Sequence, residues 1–523
     1  MHNAGLGCWP ARRAQMSPHR TAFVFAGRSV GYAEVHERTT MLASRLAADA
    51  GVTAGDRVAY LGPNHVAFAE TMFATHVLGG IFVPLNFRLT APEIAYMLAD
   101  SGATVLVYAP ECAHVVAALR TMPAPPPPAP GPTGLPGLPD LRTVVALESP
   151  AAGEREYETW LAQGDPAPID TPVSPDEVAL ILYTSGTTGR PKGATLTHAN
   201  LVWNCLNMMV GVDVTSTEVT LISAPLFHVA ALNQTLLPTF LKGGTSVIMP
   251  SWDVDLCYDL IGKHRVTWMF GVTAMFAAFA RSPRWAHADL SSLRTLMSGG
   301  ASIPVALIRA YQERGLVFCQ GYGLTETAPG ATFLEADESE RKAGSAGVPV
   351  FFADVRVARA DLTDTAVGEP GEVLVRGPNV TPGYWRNPKA TADAFTQDGW
   401  FRTGDIGTLD DEGHLYIVDR VKDMYISGGE NVYPAEVEAV LFEHPAVAEA
   451  AVVGVPDDRW GEVGRAFVIP RPGATVTPAD LRDFLRSRLA KYKIPVYFDL
   501  VDTLPRTGSG KIRKPPLRTR PLP

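Results

Sequence analysis

Short apolar runs alternate with longer amphipathic stretches along most of this chain, and the alternation predicts βαβ units. Residues 57–61 read as a strand ended by Gly62, Pro63 and Asn64; residues 65–78 read as a helix and 81–85 as the next strand. Residues 93–100 read as a helix and 104–108 again as a strand. The same pattern predicts strands at 178–182, 246–249, 267–270 and 293–297. Runs that are apolar throughout, rather than at every second position, belong to parallel sheets buried on both faces.

Two breaks interrupt this pattern. Residues 122–139 are dense in proline (Pro123, Pro125 to Pro128, Pro130, Pro132). Proline fixes an extended backbone and cannot donate to a sheet ladder, so the segment reads as a solvent-exposed insertion within one domain. A docking site for a proline-recognition domain is the other reading. The stronger break falls near Asp419 to Asp423, after a predicted strand at 413–418. Beyond it come a Gly428-Gly429 turn, a helix at 434–442, a strand at 451–455 and a helix at 478–489 with Thr477 as its N-cap. The expected domains are 1–419 and 420–523.

Composition narrows the picture without changing it. A chain of 523 residues is too long for one compact core. With 46% hydrophobic and 19% charged residues it is globular rather than disordered, and a net charge of −9 argues against a nucleic-acid binder. Five scattered cysteines (Cys8, Cys112, Cys205, Cys257, Cys319) form neither a zinc pattern nor a disulfide framework and read as reduced thiols. Residues 1–15 carry no secretory apolar core, and no apolar run reaches the ~18 residues of a spanning helix. The expected location is the cytoplasm.

The chemistry concentrates after the apolar run at 178–182. Thr184, Ser185, Gly186, Thr187, Thr188, Gly189, Lys192 and Gly193 put hydroxyls, glycines and a lysine into one short loop. Glycines turn tightly and present backbone N–H groups, hydroxyls add donors, and lysine adds a point charge. This is a polyphosphate loop, yet not a P-loop: Lys192 follows Pro191, and Gly193 stands where that motif has Ser or Thr. The loop instead resembles the signature of the adenylate-forming superfamily, which includes acyl-CoA synthetases, beetle luciferases and peptide-synthetase adenylation domains.

Further motifs of that superfamily follow in order, so the resemblance covers nearly the whole chain and assigns roles residue by residue. In Gly321-Tyr322-Gly323-Leu324-Thr325-Glu326, it implies that Tyr322 lies on the adenine, Thr325 near the α-phosphate and Glu326 beside magnesium, with Thr188 as the second metal-side residue. Ser298, Gly299, Gly300 and Ala301 resemble the adenine-side wall, and Asp405 the carboxylate that accepts from both ribose hydroxyls. Arg420 matches the arginine that contacts ribose and phosphates. Lys422 holds the hinge position, and Gly428 and Gly429 the loop that lines the pantetheine path; all three join the nucleotide- and CoA-binding set. Lys511, in a Gly/Ser loop, matches the adenylation lysine. His228, in the segment with Val229, Ala230 and Asn233, resembles the acyl-pocket histidine near the carboxylate. Ser298 and Gly323 complete the implied substrate set. A core histidine satisfied by backbone is the other reading of His228.

The resemblance implies an α/β fold: a large N-terminal domain of stacked α/β sheets with a smaller mobile α+β lid. It implies an ATP-dependent carboxylate–CoA ligase with ATP, Mg2+ and CoA as cofactors and co-substrates. The run Ile-Ser-Gly-Gly-Glu-Asn that begins at Ile426 resembles the bacterial acyl-CoA and fatty-acid–CoA ligase branch, and the segment around His228 is most similar to aryl-acid and acyl-CoA ligases. Plant coumarate ligases carry lysine in place of Ile426. They also tend to carry tyrosine where this chain has Ala230, which speaks against a hydroxycinnamate. The wall segments 229–233, 271–276 and 298–302 contain no Arg or Lys, so a second buried carboxylate would lack a partner. The expected substrate is an aromatic or medium-to-long aliphatic monocarboxylate. Three alternatives remain open: another acceptor for the same adenylate (a carrier-protein thiol or an amine), nitrite activation, and a non-catalytic nucleotide-binding protein. An acyl-carrier protein and a second copy of the chain are the remaining candidate partners.

Overall fold

The computed structural model describes residues 2–122, 138, 140–184, 191–299, 303, 305–420, 423–427, 430–457, 460–486, 488–489, 491–506 and 511–522. Its framework is two large, mostly parallel sheets. One has nine strands, in the order Val348–Pro349, Thr332–Leu334, Phe318–Tyr322, Thr295–Gly299, Trp268–Gly271, Val219–Ile222, Thr245–Ile248, Thr21–Phe25 and Arg28–Gly31. The other has eight, in the order Gly383–Tyr384, Lys192–Thr197, Val178–Thr184, Ile81–Leu85, Arg57–Leu61, Ala103–Tyr108, Thr143–Ala146 and Arg155–Glu156.

Side-chain alternation along these strands splits each sheet between two cores. Val58, Phe82, Val105 and Leu180 face the core that also takes Phe23, Trp268 and Phe270, so the largest core lies between the sheets. Their neighbours Ala59, Val83, Leu106 and Ile181 pack on the helices Ala91–Ser101 and Ala113–Thr121. Met269, Leu296 and Phe318 pack outward on Val254–His264, Thr273–Arg281 and Val305–Gln312. The helix Val66–Val77 is buried at every position, which suits its apolar sequence. Its one carboxylate, Glu70, is met by Arg38 Nε at 2.5 Å and by the Tyr157 hydroxyl at 2.8 Å.

The strands Asp354–Ala358, Gly371–Arg376, Phe401–Leu409 and Leu415–Arg420 form an antiparallel four-stranded sheet. The remaining sheet contains Glu430–Val432, Tyr425–Ser427, Gly461–Pro470 and Val447–Asp457, with Tyr497–Leu500 joining the third of these in parallel. The helices Pro434–Phe442 and Pro478–Arg486 cover one face of it, where Val437, Leu441, Leu481 and Leu485 are buried. The molecule is thus an α/β protein with a large N-terminal and a smaller C-terminal domain.

Element positions follow the apolar pattern with shifts that have local causes. His65 caps the helix Val66–Val77 instead of joining it: its ring accepts the Ala67 N–H at 3.0 Å. Gly413 closes a turn at φ 81, and Asp410 takes the N–H of His414 at 2.9 Å, so the strand expected from 413 starts at Leu415. Leu293 N–H bonds back to Leu290, which delays that strand to Thr295–Gly299. The strand expected at 451–455 runs over Val447–Asp457 because its antiparallel partner Gly461–Pro470 pairs along most of that length. Thr477 caps as expected: Asp480 N–H donates to its Oγ1 at 3.2 Å. Of the proline-rich stretch, residues 123–137 and 139 lie outside the described residues. All five cysteines are buried and unbridged. Among the described residues no helix is long and apolar enough to cross a membrane.

Candidate active site

Parallel sheets collect ligands at the carboxyl ends of their strands. In the nine-stranded sheet those ends carry Gly271, Ser298-Gly299, Gly321-Tyr322 and, past Ile222, the loop to His228. These are segments the sequence singled out, brought to one rim by the topology.

Tyr322 ends its strand and donates its hydroxyl to Asp405 Oδ2 at 2.8 Å. Asp405, only 4% exposed, lies on Phe401–Leu409, and its own N–H donates to Thr403 Oγ1 at 3.0 Å. Arg420 is its register partner on the adjacent strand. The residues assigned to adenine and ribose are therefore linked directly, although each sits in a different sheet.

The glycines of these motifs have a packing reason that sequence alone did not reveal. A Cβ on Gly299 would lie 2.7 Å from the Gly321 carbonyl oxygen across the ladder. A Cβ on Gly323 would lie 1.6 Å from the Pro329 carbonyl oxygen. Gly323→Ala must therefore push the Thr325–Thr327 turn away from Pro329. Adenylation is expected to drop about 100-fold, the usual result of displacing a positioned group by an ångström. Pyrophosphate exchange checks this, and a rate within threefold of wild type would refute it.

The Thr325–Thr327 turn is a single 3-10 turn pinned by buried amides. Asn379 Nδ2 donates to the carbonyls of Thr327 and Gly330, each at 2.6 Å. Asn204 Oδ1 accepts the Gly330 N–H at 3.0 Å. Asn233 Nδ2 donates to the Ala328 carbonyl at 2.6 Å, and its Oδ1 accepts from Cys205 at 3.2 Å. Asn233 was expected against the substrate; its side-chain amide is engaged by the protein at both ends. Glu326 is buried, and its Oε1 accepts the Tyr384 hydroxyl at 2.9 Å. Lys192 Nζ lies 5.3 Å from the Tyr384 ring. Thr184 Oγ1 donates to the Lys192 carbonyl at 3.4 Å.

His228 follows a loop anchored by Asn64, whose Oδ1 accepts the Leu226 N–H at 2.7 Å while Nδ2 donates to the Ala224 and Met249 carbonyls at 3.0 Å. Just beyond lies a π-helical turn, Ala231–Leu236, a geometry that recurs at functional sites. The His228 ring has a buried Nε2 with no hydrogen-bond partner among the described residues. Burial, then the positive charges of Lys511 and Arg88, press its pKa down to about 3, so the imidazole is neutral near pH 7. Val229 is buried and Ala230 half-buried beside it. Ser298 Oγ and Gln320 Nε2, on register-paired residues, are likewise buried and unpartnered among the described residues.

Ser185, Gly186, Thr187, Thr188, Gly300, Ala301, Lys422, Gly428 and Gly429 lie outside the described residues. The sequence reading missed Tyr384, Asn204, Asn379 and Gln320. Only the aromatic pair Tyr384-Trp385 between Gly383 and Pro388 hinted at a built segment.

Two family models match this chain: AMP-binding enzyme over residues 10–385, and AMP-binding enzyme C-terminal domain over residues 436–511. The chain is 50% identical over 523 residues to a feruloyl-CoA synthase from Amycolatopsis sp, covering 99% of this chain and 100% of that protein. It is 42% identical to an indoleacetate–CoA ligase from Aromatoleum aromaticum, covering 98% and 97%. Among solved structures, ATP-bound MatB from Rhodopseudomonas palustris matches with a TM-score of 0.89 at 32% identity, covering 99% of this chain and 98% of that one. The Bacillus subtilis o-succinylbenzoate CoA synthetase in complex with its acyl-adenylate intermediate matches with a TM-score of 0.84 at 32% identity, covering 98% of each. The chain belongs to the AMP-binding enzymes, in the acyl-CoA synthetase branch of the adenylate-forming superfamily, and is an AMP-forming acid–thiol ligase that uses ATP to join a carboxylic acid to CoA.

Proposed function

We propose that the acid is an aryl monocarboxylate, with a hydroxycinnamate such as ferulate foremost, and that the rim described above carries both half-reactions. The observation that carries the site reading is the Tyr322 hydroxyl bonded to Asp405 Oδ2 at 2.8 Å, at the strand ends that also carry Ser298 and Gly321. In the first step a carboxylate oxygen attacks the α-phosphorus, and the bond to the departing pyrophosphate breaks. Lys511 offsets the negative charge that gathers on the carboxylate and α-phosphate oxygens as they meet. Tyr322 supports the adenine, and Asp405 and Arg420 hold the ribose. Neutral His228 offers the acyl carboxylate its buried Nε2, which is unpartnered among the described residues. In the second step the CoA sulfur attacks the acyl carbon and AMP leaves, with Gly428 and Gly429 lining the thiol's path. Residues 1–419 act as the body and 420–523 as the lid.

Glu326 and the hydroxyl of Thr188 are hard oxygen donors of the kind magnesium takes, and bound Mg2+ would supply charge neutralisation of the triphosphate. CoA, rather than a carrier-protein thiol, is the acceptor. The need for ATP and CoA supports a cytoplasmic location.

Two lines support the aryl substrate: the names of the 50% and 42% identical relatives, and the small Ala230 at the pocket wall. On this reading Ala230 gives room to an aryl-propenoate rather than excluding it. The test is pyrophosphate release with a panel of acids, with and without CoA. Ferulate and cinnamate should exceed octanoate at least tenfold in kcat/KM, and malonate and acetate should rank last. Ala230→Trp should lower kcat/KM for ferulate ~10- to 100-fold, the equivalent of the ~1–3 kcal/mol typical of overpacking, and leave acetate unchanged. Malonate or octanoate ahead of every aryl acid would overturn the assignment.

A further inference from the structure

We propose that Tyr384 is a positioning residue of the adenylation half-reaction, aiming the Glu326 carboxylate and seating Lys192 through a strap formed by residues 379–385. The inference rests on the reading of Glu326 as the metal-side carboxylate.

The strap joins the two large sheets across the site. Thr381 N–H donates to the Glu326 carbonyl at 2.7 Å, while its Oγ1 donates to the Thr195 carbonyl at 2.6 Å. Gly383 and Tyr384 then pair antiparallel with Thr195 and Ala194, on the strand that begins at Lys192. Trp385 N–H closes the strap on the Gly193 carbonyl at 2.7 Å. The turn that carries Glu326 and the strand that carries Lys192 are thus held by the same few residues. At the centre, one Tyr384 side chain serves both functional groups. Its hydroxyl donates to Glu326 Oε1 at 2.9 Å, and its ring lies 5.3 Å from Lys192 Nζ.

The chemistry of this phenol suits that task. An ionised carboxylate has no proton to give, so the Tyr384 phenol is the donor across the 2.9 Å contact with Glu326 Oε1. A carboxylate that donates nothing and accepts a fixed O–H keeps one oxygen oriented. Groups that orient a metal-binding carboxylate typically change metal affinity or activity by about 10- to 100-fold when removed. The ring gives Lys192 a polarisable face that does not neutralise it, unlike a carboxylate partner.

Tyr384→Phe keeps the ring and deletes the hydroxyl; Tyr384→Leu deletes both. Binding of ATP to the full-length protein, measured by calorimetry at stepped Mg2+ concentrations, reads the effect without turnover. Tyr384→Phe should need about tenfold more Mg2+ for half-maximal ATP binding while AMP binding stays at wild-type strength. Tyr384→Leu should in addition weaken ATP binding at saturating Mg2+. Glu326→Gln serves as the reference. If Glu326→Gln shifts the Mg2+ dependence and Tyr384→Phe does not, the inference about Tyr384 fails and the site reading stands. If neither shifts it, the metal-side reading of Glu326 fails. If Tyr384→Phe weakens AMP binding as much as ATP binding, Tyr384 only supports the fold and the inference is overturned.

Discussion

Replacing Lys511 with alanine should reduce adenylate formation ~10²–10³-fold and leave transfer from a pre-made acyl-adenylate to CoA within a few-fold of wild type. In the first half-reaction two anions approach each other, and the transition state gathers negative charge on their oxygens. Removing one preorganised donor from such a site costs about 2.7–4 kcal/mol. On the proposed reading Lys511 takes that role, because the His228 imidazole is held neutral by burial and supplies no cation in its place. The second half-reaction begins after pyrophosphate has gone, and a thiol attacks an uncharged acyl carbon. On the moving-lid reading, Lys511 has by then swung away. Pyrophosphate exchange and CoA-dependent consumption of synthetic adenylate measure the two steps separately. Equal losses in both, with an unchanged melting curve, would rule out the division of labour.

Much of the fold was legible because the core strands are short runs dominated by apolar residues, too short to be read as helices. The expected strands at 57–61 and 81–85 and the helix at 434–442 match the observed Arg57–Leu61, Ile81–Leu85 and Pro434–Phe442. Edges moved where a side chain or turn captured a backbone group, as at His65 and Asp410. Sheet order was not legible: nothing in the run at 21–25 says that it pairs with 245–248 rather than with 57–61. The two-residue strand Gly383–Tyr384 is too short to show a period, and its identity comes only from pairing with Lys192–Thr197. For the same reason Asn204 and Asn379 were invisible. An asparagine announces a polar group, but what it holds (here the Gly330 and Thr327 backbone) depends on contacts far away in the chain. The motif residues could be named from the sequence through resemblance, while their partners could not. Gly323 illustrates the gap: the motif marks it as small, and the Pro329 carbonyl supplies the reason.

The pairing of Tyr322 with Asp405 leads to the second large effect, a loss of ~10²–10³-fold in kcat/KM for ATP in Asp405→Ala. Asp405 is buried, and one of its oxygens already accepts the Tyr322 hydroxyl. A carboxylate has lone pairs to spare, so it can accept from the tyrosine and from a ribose diol together. On the proposed reading, truncation removes the acceptor for the diol and strands the tyrosine hydroxyl next to the purine. Losing one partner of a buried charged hydrogen bond costs ~2–5 kcal/mol, which reaches that fold-change within its range. Tyr322→Phe removes only the donor and leaves the ring for the base, so it should lose tenfold or less. The double variant should fall less than the product of the two, because the hydroxyl stranded by Asp405→Ala is gone. Initial-rate kinetics with varied ATP supply the numbers, and 2′-deoxy-ATP supplies the control. If Asp405 reads the ribose diol, wild type should discriminate strongly against the deoxynucleotide and Asp405→Ala should scarcely discriminate. Equal discrimination by the two proteins would show that Asp405 orients Tyr322 and does not read the sugar.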